Sequence, residues 1–275
     1  MTKTDRGTLT RTRTKGPALF YSDVRPDDAR AVVGIVPGYA DYADRYDRVQ
    51  RAWAEQGVAS IAIDLRGHGL AEGPRGACKH WDEYLDDASE LFALLEKVGK
   101  PIFLFGHSFG GLVAASWVTR NGKAQRGVIL SNPYMRVALP VPAAKKTAGR
   151  IVSALLPGVG LATGIKGSQL THDEALAKKY DEDPLVFKKA NARWFVESEN
   201  AQHDVMARAK EITLPMLMVL GTADPVVAGG RELFDAAGST DKKLDAREGL
   251  LHEVLNEPEW RSVADAIAEW VKARA

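Results

Sequence analysis

Pro101-Ile102-Phe103-Leu104-Phe105-Gly106-His107-Ser108-Phe109-Gly110-Gly111-Leu112-Val113-Ala114-Ala115-Ser116-Trp117-Val118 reads as a buried strand, a tight turn and a helix in immediate succession. The run 101–105 is short, apolar and rich in bulky residues, which suits a strand buried on both faces of a parallel sheet. The run 112–118 can wind as a helix. Between them stands Gly106-x-Ser108-x-Gly110, the pattern of a nucleophile elbow. Such a turn forces the serine into a strained backbone conformation. Glycines on either side let neighbouring backbone pack close. The hydroxyl then stands over a helix N-terminus, which favours developing negative charge. A glycine-rich turn with an incidental serine has the same five letters, so the rest of the chain has to decide.

The chain has room for one large α/β domain with an insertion: 275 residues, with a formal net charge of +1. That charge balance points to neither nucleic acid nor an anionic membrane as a partner. Cys78 is the only cysteine, so no intramolecular disulfide can form. Met1-Thr2-Lys3-Thr4-Asp5-Arg6 is polar and has no apolar h-region, and no apolar run approaches the length of a membrane span. The expectation is a cytoplasmic protein.

Outward from the elbow, the same rhythm repeats. Thr8 to Thr14 alternates like an exposed strand, Lys15-Gly16-Pro17 turns, and Ala18-Leu19-Phe20-Tyr21 resumes, which predicts an antiparallel hairpin at a sheet edge. Buried strands are expected over 31–36, 58–64, 127–132 and 214–221, with a shorter one near 243–247. Helices are expected over 45–56, 81–98, 231–237 and 257–273. Strands alternating with helices imply an α/β fold, a mostly parallel sheet with helices on both faces. The rhythm stops after Tyr134 and returns at Leu214. The expected layout is a core formed by 1–134 and 207–275, interrupted by a helical cap or lid over 135–206. The cap has a Pro/Gly/Ala-rich apolar half and a charged helical half from Asp173 to Lys210.

A serine hydroxyl needs a base within hydrogen-bond reach, and the base needs an orienting carboxylate. In this architecture the order along the chain is Ser, then Asp or Glu, then His. Of six histidines, His68, His80 and His107 precede the serine, and His172 and His203 fall in the insertion. His252 alone follows the last expected strand. Asp224, in Gly221-Thr222-Ala223-Asp224-Pro225, sits where an apolar strand ends, although Asp-Pro is also a frequent turn pair. Were it only a turn residue, Asp204 or Asp245 would be the next acids to test. The oxyanion needs two backbone donors. They are expected to be the N–H groups of Phe109 and, after Pro37-Gly38, of Tyr39. No His/Cys/Asp grouping has a metal-ligand spacing, and the chemistry needs no cofactor.

Pro37-Gly38-Tyr39-Ala40, Asp64-Leu65-Arg66-Gly67-His68-Gly69 followed by Gly73-Pro74-Arg75-Gly76, the elbow with Gly111, Leu214-Pro215-Met216-Leu217, Gly221-Thr222-Ala223-Asp224 and His252-Glu253 together resemble the monoacylglycerol lipase and lysophospholipase group of α/β-hydrolases, also labelled serine aminopeptidase-like. The resemblance covers nearly the whole core. It implies a triad of Ser108, Asp224 and His252 and a helical cap over the insertion. The group usually has His-Gly where this chain has Pro37-Gly38, so the hydrogen bonding behind that loop must differ. The cap matches less closely. Within it, Leu155, Leu156, Val159 and Ile165, with Ile151 and Leu161, are the candidates to line an acyl site. Arg66 and His68 read first as residues that tie loops together.

The leading expectation is a serine carboxylic ester hydrolase for a single-chain lipid ester, a monoacylglycerol or lysophospholipid, with no obligate protein partner and room for transient contact between the cap and a membrane or micelle. The alternatives are a short-chain carboxylesterase, an aminopeptidase or amidase using cap acids such as Glu197, Glu199 and Asp204, or a binding protein on a hydrolase scaffold.

Overall fold

The apolar runs do form strands. β1 (Thr2–Leu9), β2 (Leu19–Pro26), β3 (Ala31–Val36), β4 (Val58–Asp64), β5 (Ile102–His107) and β6 (Gly127–Ser131) are followed by three short strands, β7 (Arg136–Val137), β8 (Gly160–Ala162) and β9 (Lys189–Asn191). β10 (Met216–Gly221), β11 (Val227–Ala228) and β12 (Lys242–Arg247) complete the set. The structure, a computed structural model, describes residues 1–122, 125–138 and 159–275, and of Leu161 the backbone alone.

One eight-stranded sheet runs in the order β1-β2-β4-β3-β5-β6-β10-β12. β1 and β2 pair antiparallel, β2 joins β4 antiparallel, and every pairing from β4 to β12 is parallel. β3, β4, β5 and β6 are buried along their whole length. This is why they read as continuous apolar runs, while the edge strand β12 does not.

Helices cover both faces. α1 (Asp47–Ala54) and, at the C-terminal end of the chain, a helix over Trp260–Lys272 pack Val49, Trp53, Val263, Ile267 and Trp270 against one face. α2 (Asp82–Glu96) and α3 (Phe109–Asn121) pack Leu91, Leu95, Leu112 and Trp117 against the other. Between β6 and β10 lie α4 (Glu174–Glu182) and α5 (Ala192–Ala207), the latter packed on α3. α6 (Gly230–Ala236) precedes β12, and the C-terminal helix is α7. None of the described helices is long and apolar enough to cross a membrane.

The hairpin at the sheet edge differs from expectation. Its first strand is Thr2–Leu9, not Thr8–Thr14. Residues 10–18 form the connection. The cause is the buried Glu90 carboxylate on α2, which accepts the backbone N–H groups of Thr12 (2.8 Å), Arg13 (2.8 Å) and Thr14 (2.6 Å). These donors are taken by a side chain, so the alternating Thr/Arg pattern makes no ladder there. Arg11 closes the loop from the other side with an ion pair to buried Asp87.

Candidate active site

Ser108 lies between β5 and α3 with φ 52° and ψ −119°, a conformation that a non-glycine residue adopts only under constraint. The flanking glycines explain why the pattern is G-x-S-x-G. A Cβ on Gly110 would lie 2.0 Å from the Val36 carbonyl oxygen, and one on Gly106 would lie 2.3 Å from the Gly110 oxygen. The first turn of α3 therefore sits directly on the end of β3 and on its own strand. Ser108 is pinned by its backbone as well, its N–H donating to Ser131 O (2.9 Å) and its carbonyl accepting from Tyr134 N–H (2.9 Å).

Asp224 follows β10 and His252 follows β12, both at the carboxyl end of the sheet with Ser108. His252 Nδ1–H donates to Asp224 Oδ2 at 2.7 Å, and Ser108 Oγ–H donates to His252 Nε2 at 2.9 Å. An ionised carboxylate only accepts, so the Asp224 contact puts the proton on Nδ1 and leaves the Nε2 lone pair facing the hydroxyl. Burial opposes ionisation of Asp224, but the hydrogen bond from His252, with the N–H groups of Val226 and Val227, holds its carboxyl below the usual range. The His107 ring lies 4.8 Å from that of His252, and burial, with His252 second, pushes His107 down to about 4. His107 is thus uncharged at neutral pH and does not oppose a proton on His252.

The loop after β3 runs against the elbow: a Cβ on Gly38 would lie 3.5 Å from Ser108 Cβ. Among the described residues, no acceptor meets the N–H of Tyr39 or of Phe109. What stands behind this loop is an acid. Gly38 N–H donates to Asp41 Oδ2 (3.2 Å), and Asp41 also accepts from Tyr46 Oη (2.8 Å) and Arg45 (2.8 Å). The Arg45 guanidinium continues to both oxygens of Glu253, at 3.0 and 2.7 Å, so the Gly38 loop and the His252 loop share one buried ionic tie. The Asp41 half of the tie is a local i,i+4 pair, but nothing in the local pattern marks Arg45 for Glu253, which lies 208 positions away.

An aromatic cluster surrounds Phe109. Tyr39 and Trp194 rings lie 3.9 Å apart, Phe109 and Trp194 5.3 Å, and Trp194 stacks on Tyr134 at 5.9 Å. Tyr39 Oη lies within hydrogen-bond reach of the carbonyls of Gly76 (3.0 Å) and Lys189 (3.2 Å). Arg66 binds Asp87 with two nitrogens, and His68 Nδ1–H donates to the Arg66 carbonyl (2.8 Å), in keeping with a loop-tying role for both.

Of the acyl-site candidates, Ile165 packs with Ala40, Tyr42, Leu170, Tyr180 and Val186, and Val159 is 38% exposed. Leu155, Leu156 and Ile151, with the side chain of Leu161, lie outside the described residues. Of the cap acids, Glu197 accepts the Trp81 N–H and Asp204 lies between Arg120 and Arg208. Among the described residues no cluster of His, Cys, Asp or Glu could hold a metal ion.

A family model described as serine aminopeptidase, S33, matches residues 27–259. The chain belongs to this hydrolase family. Within it, this S33 hydrolase is 29% identical over 262 residues to a monoacylglycerol lipase of Mycolicibacterium smegmatis, with 93% of each chain covered. It is 30% identical over 251 residues to an uncharacterised abhydrolase domain-containing protein of Dictyostelium discoideum, of which it spans only 26%. Among solved structures, the monoacylglycerol lipase of Paleococcus ferrophilus superposes with a TM-score of 0.83 at 25% identity, covering 99% of this chain and 100% of the other. The mostly parallel α/β-hydrolase sheet expected from the sequence is the sheet observed.

Proposed function

We propose that this S33 hydrolase cleaves the ester bond of single-chain lipids, monoacylglycerols first, through an acyl-enzyme on Ser108. The observation that carries the reading is the continuous hydrogen-bond chain from Asp224 through His252 to Ser108 on a strained elbow. His252 takes the Ser108 proton as Oγ attacks the ester carbonyl, and Asp224 stabilises the imidazolium that forms. The N–H groups of Tyr39 and Phe109 receive the negative charge on the carbonyl oxygen. His252 then passes its proton to the departing alcohol. It next takes one from water as that water attacks the acyl carbonyl, and returns it to Ser108 Oγ as the acyl–Oγ bond breaks and the acid leaves.

Residues 135–206 act as the cap in this reading, with Tyr39, Phe109, Tyr134 and Trp194 offering the apolar wall beside the serine. The nature of the substrate is supported by the monoacylglycerol lipases that resemble the chain over nearly its full length. Ser108→Ala and His252→Ala are each expected to lower hydrolysis of monoolein and of p-nitrophenyl esters by about 10⁴-fold or more, and the double variant by little beyond that, since the groups act as a unit. Losses that multiply in the double variant, or an active Ser108→Ala enzyme, would overturn the assignment.

A further inference from the structure

The loop that carries His252 belongs to no strand or helix. Its two bonds to Asp224 and Ser108 orient the ring but do not fix the backbone beneath it. That backbone is held from β6. Asn132, which follows the last residue of β6 and is 3% exposed, donates from Nδ2 to His252 O at 2.6 Å and to Leu251 O at 3.2 Å. Its Oδ1 accepts from Gly221 N–H at 3.0 Å, at the end of β10 and three positions before Asp224. Its own N–H donates to Val219 O at 3.0 Å. Ser131, immediately before it, and Tyr134, two residues after it, hold the backbone of Ser108. One carboxamide thus spans the loops of the base and the acid from the strand end that also holds the nucleophile.

We infer that Asn132 is a positioning residue that sets the distance between His252, Asp224 and Ser108. The inference rests on the Ser108–His252–Asp224 mechanism proposed above. The chemistry of the site selects the residue type. Two carbonyls require a double donor and one N–H requires an acceptor, and a terminal amide supplies both from one planar group. Aspartate has the shape but no donor. The backbone adds a second demand, since Asn132 has φ 39°, in the left-handed region where asparagine is among the few side chains accepted.

Two variants separate the clasp from the backbone. Asn132→Asp keeps the shape and turns an acceptor toward two carbonyls. Asn132→Gly keeps access to positive φ and deletes the amide. With a soluble p-nitrophenyl ester, both are expected to lower kcat about tenfold to a hundredfold while KM stays within about twofold, because displacement of a catalytic group by about 1 Å costs rate and leaves substrate contacts in place. Phosphonylation of Ser108 by a fluorophosphonate should slow in parallel. The low-field proton resonance of the His252–Asp224 hydrogen bond should shift or broaden in protein whose circular dichroism is unchanged. Wild-type kcat in Asn132→Gly overturns the inference. So does a loss that matches a lower titre of active sites while the remaining sites turn over at the wild-type rate. An active Ser108→Ala enzyme would instead remove the mechanism itself. An inactive Ser108→Ala beside fully active Asn132 variants removes only the role of Asn132.

Discussion

Ser108 pays for its position with φ 52°, a region that costs about 1–3 kcal/mol for a residue with a side chain. The strain persists because Gly106 and Gly110 let β3, β5 and α3 close on it and leave no relaxed alternative. In the proposed mechanism that position does the work only when the imidazole has the right tautomer, which the Asp224 contact enforces at 2.7 Å. Asp224→Asn is therefore expected to lower kcat by about 10⁴-fold with the fold intact, by presenting Nδ1 with a donor and favouring the wrong tautomer. Steady-state kinetics beside a thermal melt checks this. Turnover within a few-fold of wild type would move the acid elsewhere.

At the scale of elements, the ends of strands and the connections between them are tied by buried carboxylates. Glu257, whose side chain is fully buried, accepts from Leu251 N–H (2.6 Å) beside His252 and from His172 N–H (2.8 Å) in the stretch before α4. Glu253 N–H donates to Leu170 O (2.8 Å), so the His252 loop and residues 170–172 are tied to each other directly as well as through Glu257. Glu90 does the same for the hairpin connection. Burial raises its pKa, but the N–H groups of Thr12, Arg13 and Thr14 and the Thr14 hydroxyl outweigh that and bring it from 4.5 to about 2. The folded value lies below the unfolded one. Glu90 therefore contributes stability in full above about pH 4.5, and the contribution is lost as pH falls toward 2. A shift of that size corresponds to about 3 kcal/mol. Glu90→Gln is expected to be less stable at pH 7 and to show a flatter loss of stability between pH 4.5 and 2, measured by urea unfolding across that range. A variant that tracks wild type through acid would show that the connection is held by other bonds.

For the molecule as a whole, the proposed function assigns control of access to the serine to a cap. Each methylene of an acyl chain buried beneath it is worth about 0.8 kcal/mol, roughly fourfold in binding. Specificity should therefore climb with acyl length until the site is full, and a roofed site should favour one-chain esters over triacylglycerols. Initial rates on p-nitrophenyl esters from two to sixteen carbons, monoolein, lysophosphatidylcholine and triolein check this. Fastest turnover of the acetate ester with no cleavage of monoolein would leave a short-chain esterase. Higher efficiency on aminoacyl-naphthylamides than on any ester would favour a peptidase.

The central strands were legible because burial on both faces writes itself as an unbroken apolar run, as in Ala31–Val36 and in residues 102–105 of β5. The elbow was legible because its glycines stand in one short contiguous pattern around Ser108, although the backbone they make room for is the turn itself at Gly106 and distant Val36 and Pro37 at Gly110. Asp224 and His252 could be named from their order after expected strands, although no local feature shows that they meet. Tertiary structure alone decided that Thr12 to Thr14 bond to Glu90 instead of pairing as a strand, that Arg45 bridges Asp41 and Glu253, and that Asn132 clasps the His252 loop. Each of these joins distant positions, 120 residues apart for Asn132 and His252. A polar side chain in a loop looks the same in sequence whether it faces water or a buried partner. Its meaning is fixed only when folding removes the water and leaves one donor or acceptor within reach.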